Sequence, residues 1–158
     1  MRSLIFIMIT IAIAYYRYTI PPGSPDFLVV WLVTLAFYTE NKWGVFQAFW
    51  IGILHGFPDI NPFSPLIAIL AYKALQHQRF HIGRDHFLPR FLIIAALTTI
   101  YDAMEWLSLA PYLKPDIYSS LQLFGTHAAF TAIMGLPLLS FGQRMENILG
   151  FRQTRYDF

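Results

Sequence analysis

The amino-acid sequence predicts an all-α membrane protein: one polytopic domain of about six transmembrane helices. Three observations predict it. The chain has 158 residues, of which 56% are hydrophobic, 18% aromatic and only 13% charged, against about 25% charge in an ordinary soluble domain. The mean hydropathy is +0.49. The charges fall in short clusters between apolar runs, and Lys and Arg fall mostly in alternate clusters, as polytopic membrane proteins arrange them. The net charge of +2 is too small to argue for nucleic acid. The absence of Cys removes disulfides, thiolate chemistry and cysteine-based metal sites.

The first predicted helix covers about residues 4–18. It follows Arg2 and ends in Tyr15, Tyr16 and Tyr18, an aromatic belt of the interfacial kind. Ala12 and Ala14 have the small-x-small spacing of a signal-peptide cleavage site, so a cleaved leader is the competing reading. Pro21, Pro22 and Pro25 close the segment, because proline has no N–H to give to a continuing helix. The second helix covers about 26–39, followed by the polar turn Thr39-Glu40-Asn41-Lys42.

The third helix, about 43–57, has the most distinctive pattern. Gly44, Ala48, Gly52 and Gly56 recur every four residues and form one row on a helix. In lipid, apolar side chains gain little by leaving the tails for each other, so close backbone approach supplies much of the packing. The row is therefore a seam for another helix, with Gln47, Ile51 and His55 on the adjoining row. The turn-rich stretch Pro58 to Pro65 ends it, and a fourth helix covers about 64–76. Helices two to four are shorter than the ~20 residues of a standard span, so either they extend into their flanking loops or the break after Gly56 dips into the membrane.

The segment Lys73 to Arg90 is the most charged. A fifth helix covers about 88–109, a loop Pro111 to Ser120, and a sixth helix about 121–141. Pro137 lies inside the sixth and predicts a kink near Ile133. Residues 142–158 read as a basic amphipathic tail. Six helices with both termini inside place Arg2, Lys42, Lys73, Arg79, Arg84, Arg90, Arg144, Arg152 and Arg155 on the cytoplasmic side, and only Arg17 and Lys114 outside. This nine-to-two split is the positive-inside pattern. Of these, Lys73, Arg79, Arg84, Arg90, Arg144, Arg152 and Arg155 form a predicted basic surface for anionic lipid headgroups.

Residues 26–72 resemble the first half of the MreD family of rod-shape-determining membrane proteins. The resemblance rests on Pro25-Asp26 leading into an apolar helix, the polar turn Thr39 to Lys42, and Gly52-Ile53-Leu54-His55-Gly56. It continues in the turn Pro58 to Pro65 and in Ala71-Tyr72. The stretches Ala129 to Leu139 and Gln143 to Arg152 are similar to that family's C-terminal part. Two positions depart from the pattern: the Asp expected after the glycine helix is replaced by His55 or Gly56, with Asp59 just beyond, and the Asn of the last helix is Ala132. The resemblance implies the six-helix fold of the substrate-binding subunits of energy-coupling-factor vitamin transporters. It implies a multi-pass protein of the bacterial cytoplasmic membrane, with no cofactor, acting as a non-enzymatic scaffold or regulator of lateral peptidoglycan synthesis. Its implied partners are an MreC-like protein, RodA with its penicillin-binding partner, and an MreB-like protein.

The chemistry-bearing residues are the ionisable groups inside the apolar runs. Asp102 and Glu105, spaced i, i+3, share one face of the fifth helix. His55 and His127 lie near the outer ends of the third and sixth helices. With Asp59 they compose a candidate outer-side polar cluster. A charge at mid-membrane costs about 2.5–3.5 kcal/mol on the insertion scale, so these groups are expected to face the bundle or water. They read either as hydrogen-bonded struts between helices or as a metal, proton or partner site. His77, His81 and His86 invite a zinc reading, but spacing fixes no third ligand. No hydrolase elbow, zinc-protease motif or phosphate loop is present, so no catalytic residue is assigned. Two other function classes remain open. One is a vitamin-binding transporter subunit, for which Thr10 and Ala14 imitate the small-residue docking surface of the first helix. The other is a proton- or ion-handling protein using Asp102 and Glu105.

Overall fold

The apolar run after Asp26 becomes the centre of the molecule. The helix it forms, α2 (Phe27–Tyr38), is only 12 residues long, yet it touches all five other helices. Leu28, Val29, Val30, Leu32, Val33, Leu35 and Ala36 are wholly buried. A helix apolar on every side has no face for water, so it is enclosed by protein or lipid. Around it stand α1 (Arg2–Thr19), α3 (Lys42–Gly56), α4 (Phe63–Gln78), α5 (Phe87–Leu113) and α6 (Ile117–Leu149). The structure, a computed structural model, describes residues 2–19, 24–38, 42–56, 61–78, 87–113 and 116–149. It describes the side chains of these residues except 2–6, 38, 42, 87, 109–113 and 141–149. Among the described residues every element is helical.

The all-α expectation therefore stands, but the six helices are unequal. At 1.5 Å per residue, α2, α3 and α4 are about 18, 22 and 24 Å long, short of the ~30 Å hydrocarbon layer. Among the described residues, two helices are long and apolar enough to cross a membrane, through Leu88–Ser108 of α5 and Ile117–Ser140 of α6. Only 17% and 28% of the 18-residue apolar window within each are buried inside the protein.

Two boundaries differ from the sequence reading. The fifth helix does not stop before Pro111 but runs to Leu113, and α6 starts at Ile117. A proline this close to a helix C-terminus removes one hydrogen bond near an end that frays in any case. Asp116 then starts α6: its carboxylate accepts the backbone N–H of Ser119 at 3.0 Å and the Ser119 hydroxyl, a side-chain N-cap. The predicted tail from residue 142 begins as a continuation of α6 to Leu149, which also carries Pro137 inside it without a break.

The row of small residues on α3 lies against α4. A Cβ built on Gly52 would sit 2.4 Å from the Cα of Pro65, and one on Gly56 3.1 Å from the carbonyl oxygen of Asn61. One on Gly44 would sit 1.9 Å from the hydroxyl of Tyr72, itself wholly buried. Ala48 is also wholly buried. The seam is thus filled from within the chain. The opposite face of α3 is aromatic and exposed: Trp43, Phe46, Phe49 and Trp50 stand edge to face, with ring centroids 6.1–6.2 Å apart.

Candidate functional site

The ionisable groups converge where four helix ends meet the middle of the α5–α6 pair. Asp26 is the hub. It is the N-cap of α2, its Oδ1 accepting the backbone N–H groups of Leu28 at 3.0 Å and Val29 at 3.3 Å. Its Oδ2 lies 2.6 Å from Nη1 of Arg17, in the last turn of α1, and 2.5 Å from Nε2 of His55, at the end of α3. Its backbone N–H donates to the hydroxyl of Thr131 on α6 at 3.0 Å. One residue thus ties α1, α2, α3 and α6 together. Asp26 and His55 are both buried, so the carboxylate has traded water for four donors, as a buried charge must.

The imidazole of His55 stacks on Tyr101 of α5, with ring centroids 4.0 Å apart and planes inclined 33°. The Tyr101 hydroxyl reaches the carbonyl oxygen of Ser64 on α4 at 3.5 Å. The Tyr18 hydroxyl donates to the carbonyl oxygen of Leu54 beside it.

A second pair lies one turn along α6, where His127 is four residues from Thr131 and meets Asp102, the neighbour of Tyr101 on α5. Nδ1 of His127 is 2.9 Å from the carboxylate of Asp102, and its Nε2 is 2.9 Å from the carbonyl oxygen of Ser24, just before α2. Both ring nitrogens face oxygens. A neutral imidazole can donate from only one of them, so the pair holds one further proton, on the ring or on the carboxyl. Glu105 takes no part in it. Its carboxylate lies 3.9 Å from Nη2 of Arg17, with 49% of its side chain exposed.

The structure therefore divides the predicted cluster. His127 meets Asp102, His55 turns instead to Asp26, and Glu105 points to Arg17; Asp59 lies outside the described residues. The sequence reading placed Arg17 among the outward charges and Asp26 at a helix start, and missed both as site residues. The signal for Asp26 was present, since an Asp directly before an uninterrupted apolar run is an N-cap candidate whose second oxygen needs a partner. The level also differs from the expected outer interface. Thr131 and His127 stand roughly midway along the apolar stretch Ile117–Ser140.

Other candidates separate. Arg90 is not on the surface: it is 8% exposed, in the first turn of α5, and its buried Nη2 has no hydrogen-bond partner among the described residues. It shares a stripe with buried Ile94, Leu97, Thr98 and Tyr101, spaced three and four apart. Lys73 is exposed. Arg79, Arg84, Arg152, Arg155, His81 and His86 lie outside the described residues, as does the side chain of Arg144. Ser64, His55 and Asp26 compose a nominal nucleophile–base–acid set, but the buried Ser64 hydroxyl makes no hydrogen bond among the described residues. The three are not in register for proton relay. Among the described residues no three His, Asp or Glu side chains gather at metal-binding distance. Thr10 and Ala14 of α1 are buried, and Thr10 accepts the indole N–H of Trp31 at 2.9 Å. That pair packs onto α2 and offers no docking face. No family model, no curated protein and no solved structure matches the chain.

Proposed function

We propose that this chain is a non-enzymatic, multi-pass membrane scaffold, with both termini cytoplasmic, which holds the proteins of lateral wall synthesis together and maintains rod shape. One observation carries the membrane part. The distribution of polarity is inverted: Arg17, Asp26, His55, Asp102 and His127 pair inside, while large apolar side chains such as Leu66, Leu70, Leu92 and Leu121 are more than half exposed. A water-soluble fold does not leave so much contiguous apolar surface uncovered. In lipid it is the expected exterior, and paired charges are the expected interior.

The scaffold part rests on what the ionisable groups do. Those of the network are spent on each other and on helix ends, as struts. The assignment to wall synthesis rests on the MreD resemblance of residues 26–72 and the C-terminal part, and with it the MreC-like, RodA and MreB-like partners in the bacterial cytoplasmic membrane. The vitamin-subunit reading loses the docking face it needed on α1.

Two measurements test the proposal together. Depletion of the protein should convert rods into rounded cells. Asp102→Asn and Glu105→Gln should then support rod shape nearly as well as wild type, because an amide keeps the shape and most hydrogen bonds. Asp102→Leu should not, since it strands the His127 proton without an acceptor, at about 1–3 kcal/mol. Normal rods after depletion overturn the assignment. Amide variants that accumulate normally yet lose all function show that the carboxylates carry proton or ion chemistry, and the scaffold reading falls.

A further inference from the structure

Arg90 is a buried cation that the described residues do not neutralise. It is the fourth residue of α5, is 8% exposed, and buries its Nη2 with no hydrogen-bond partner among them. A guanidinium stays protonated in proteins, so this charge does not depend on its surroundings. The four carboxylates whose side chains are described are spent elsewhere: Asp26 on Arg17 and His55, Glu105 on Arg17, Asp102 on His127, and Asp116 on Ser119. The first of them along α5, Asp102, lies about 18 Å from Arg90 by helical rise. A buried charge needs compensation, and here the chain is short of it. In the charge count nine Lys and Arg fall on the side of Arg90 against four acidic residues, Glu40, Asp85, Glu146 and Asp157, while the other side has two against five. More than half of the cations on that side therefore find their counter-ions outside the chain.

The start of α5 has the parts of an oxyanion site. The first four N–H groups of a helix have no partner inside it. Pro89 has none to offer, which leaves those of Phe87, Leu88 and Arg90 at the positive end of a 27-residue helix. A helical side chain leans toward the N-terminus of its own helix, so the Arg90 guanidinium is carried back over that turn. Free N–H groups, a positive dipole end and a planar fork of donors together suit phosphate. The depth suits it too. The apolar span of α5 begins at Leu88, so Arg90 lies about 3 Å inside its edge, and in a bilayer that edge meets the headgroup layer. Leu88 and Leu92, 62% and 55% exposed, lie on the opposite face of the same turns, open to acyl chains.

We propose that Arg90 and the first turn of α5 seat a single phosphate group, that of a phospholipid headgroup or of a free phosphate ester. This is a discrete seat, unlike the broad basic surface expected from the sequence, because the guanidinium is enclosed. Its lipid form rests on the membrane reading above, and neither form rests on the wall assignment.

The test uses the full chain, purified in a nonionic detergent and titrated with short-chain phosphatidylglycerol, with the matching uncharged diacylglycerol, or with inorganic phosphate. Native mass spectrometry counts the molecules bound, and tryptophan fluorescence follows thermal unfolding. Phosphatidylglycerol or inorganic phosphate should bind one per chain and raise Tm, as a ligand specific to the folded state does. Diacylglycerol should do neither. Binding by the lipid alone identifies a headgroup seat, and binding by inorganic phosphate a seat for a free ester. Arg90→Gln should weaken binding at least tenfold and lose the Tm rise. Arg90→Lys, which keeps the charge without the fork, should weaken it about threefold and decides the matter if Arg90→Gln does not accumulate. Lys73→Gln, at an exposed cation of the same side, should change it less than about twofold. No binding by either probe, binding indifferent to Arg90, or an equal loss in Lys73→Gln overturns the proposal. So does a Tm that ignores phosphate and falls as far in Glu40→Gln, Asp85→Asn or Glu146→Gln as in Arg90→Gln, since a carboxylate of the chain then holds the guanidinium. Phosphate binding at Arg90 together with normal rods after depletion upholds the seat and overturns the wall assignment.

Discussion

Asp26 shows how much one side chain decides in this chain. It caps α2, neutralises Arg17 and receives His55, and these duties are separable. Asp26→Asn keeps a capping oxygen but removes the charge, leaving the Arg17 guanidinium with Glu105 alone. The cost should be about 3 kcal/mol, the low end for a broken buried pair, because the Arg17 side chain is a quarter exposed. Arg17→Gln with Asp26→Asn should cost less than the sum of the singles, by about 1 kcal/mol or more, in unfolding measurements in mixed micelles. Additive effects would mean that the pair contributes nothing as a pair. Asp116 behaves differently because it is solvent-exposed. The Ser119 hydroxyl, then the Ser119 N–H, hold its carboxyl below the usual carboxylate range. A depressed folded pKa gives stability that is present above the unfolded value of about 3.9 and lost as pH falls through the folded one. Amide exchange in the first turn of α6 should therefore be independent of this group at neutral pH and accelerate, beyond the intrinsic trend, only under acid. Asp116→Ala should abolish that pH dependence.

At the scale of elements, the α3–α4 contact is set by the absence of side chains. Gly52 faces the backbone of Pro65, which cannot swing aside as a side-chain tip can. Even Gly52→Ala should destabilise by about 1–3 kcal/mol, the cost of forcing added volume into a filled site. Gly125 is the internal control. It lies on the exposed part of α6 with nothing within 4 Å of a built Cβ, so Gly125→Ala should stabilise by about 0.5–1 kcal/mol through backbone entropy alone. Unfolding of the two variants in detergent checks both signs. A tolerated Gly52→Ala would mean that α3 and α4 can separate without loss. The small-residue row itself was legible in the sequence, because a four-residue period on a helix maps to one face. Which helix fills it was not, since a bare row accepts any neighbour.

For the whole molecule, the question is how a bundle with short inner helices would sit in the bilayer that the proposed function requires. α5 and α6 provide the length, and α1–α4 pack around α2 over part of it. This puts the ion network deep along the hairpin, and the proposed orientation is testable. Ser119 at the hairpin turn should react with an impermeant thiol reagent from outside once changed to Cys. Gln78 at the end of α4, exposed on the opposite side of the bundle, should react only after the membrane is opened. Labelling of Gln78→Cys in intact cells would contradict the nine-to-two charge split.

The sequence by itself determined the all-α class, because the spacing of apolar runs and breaks is a property of the chain and needs no folding to be read. It also determined the number and order of the helices, through proline-rich breaks and apolar runs, and it singled out His55, Asp102, Glu105 and His127 as charges that needed partners. Only the tertiary structure decided the pairings. Asp102 with His127 spans 25 residues and Asp26 with His55 spans 29, and no local period encodes contacts at such separations. They depend on which helices lie side by side. Arg90 makes the same point in reverse: in the sequence it belongs to a basic run, but the stripe it shares with Ile94, Thr98 and Tyr101 turns it inward when α5 packs on its neighbours. Helical periodicity says which residues share a face, and packing alone says what that face meets.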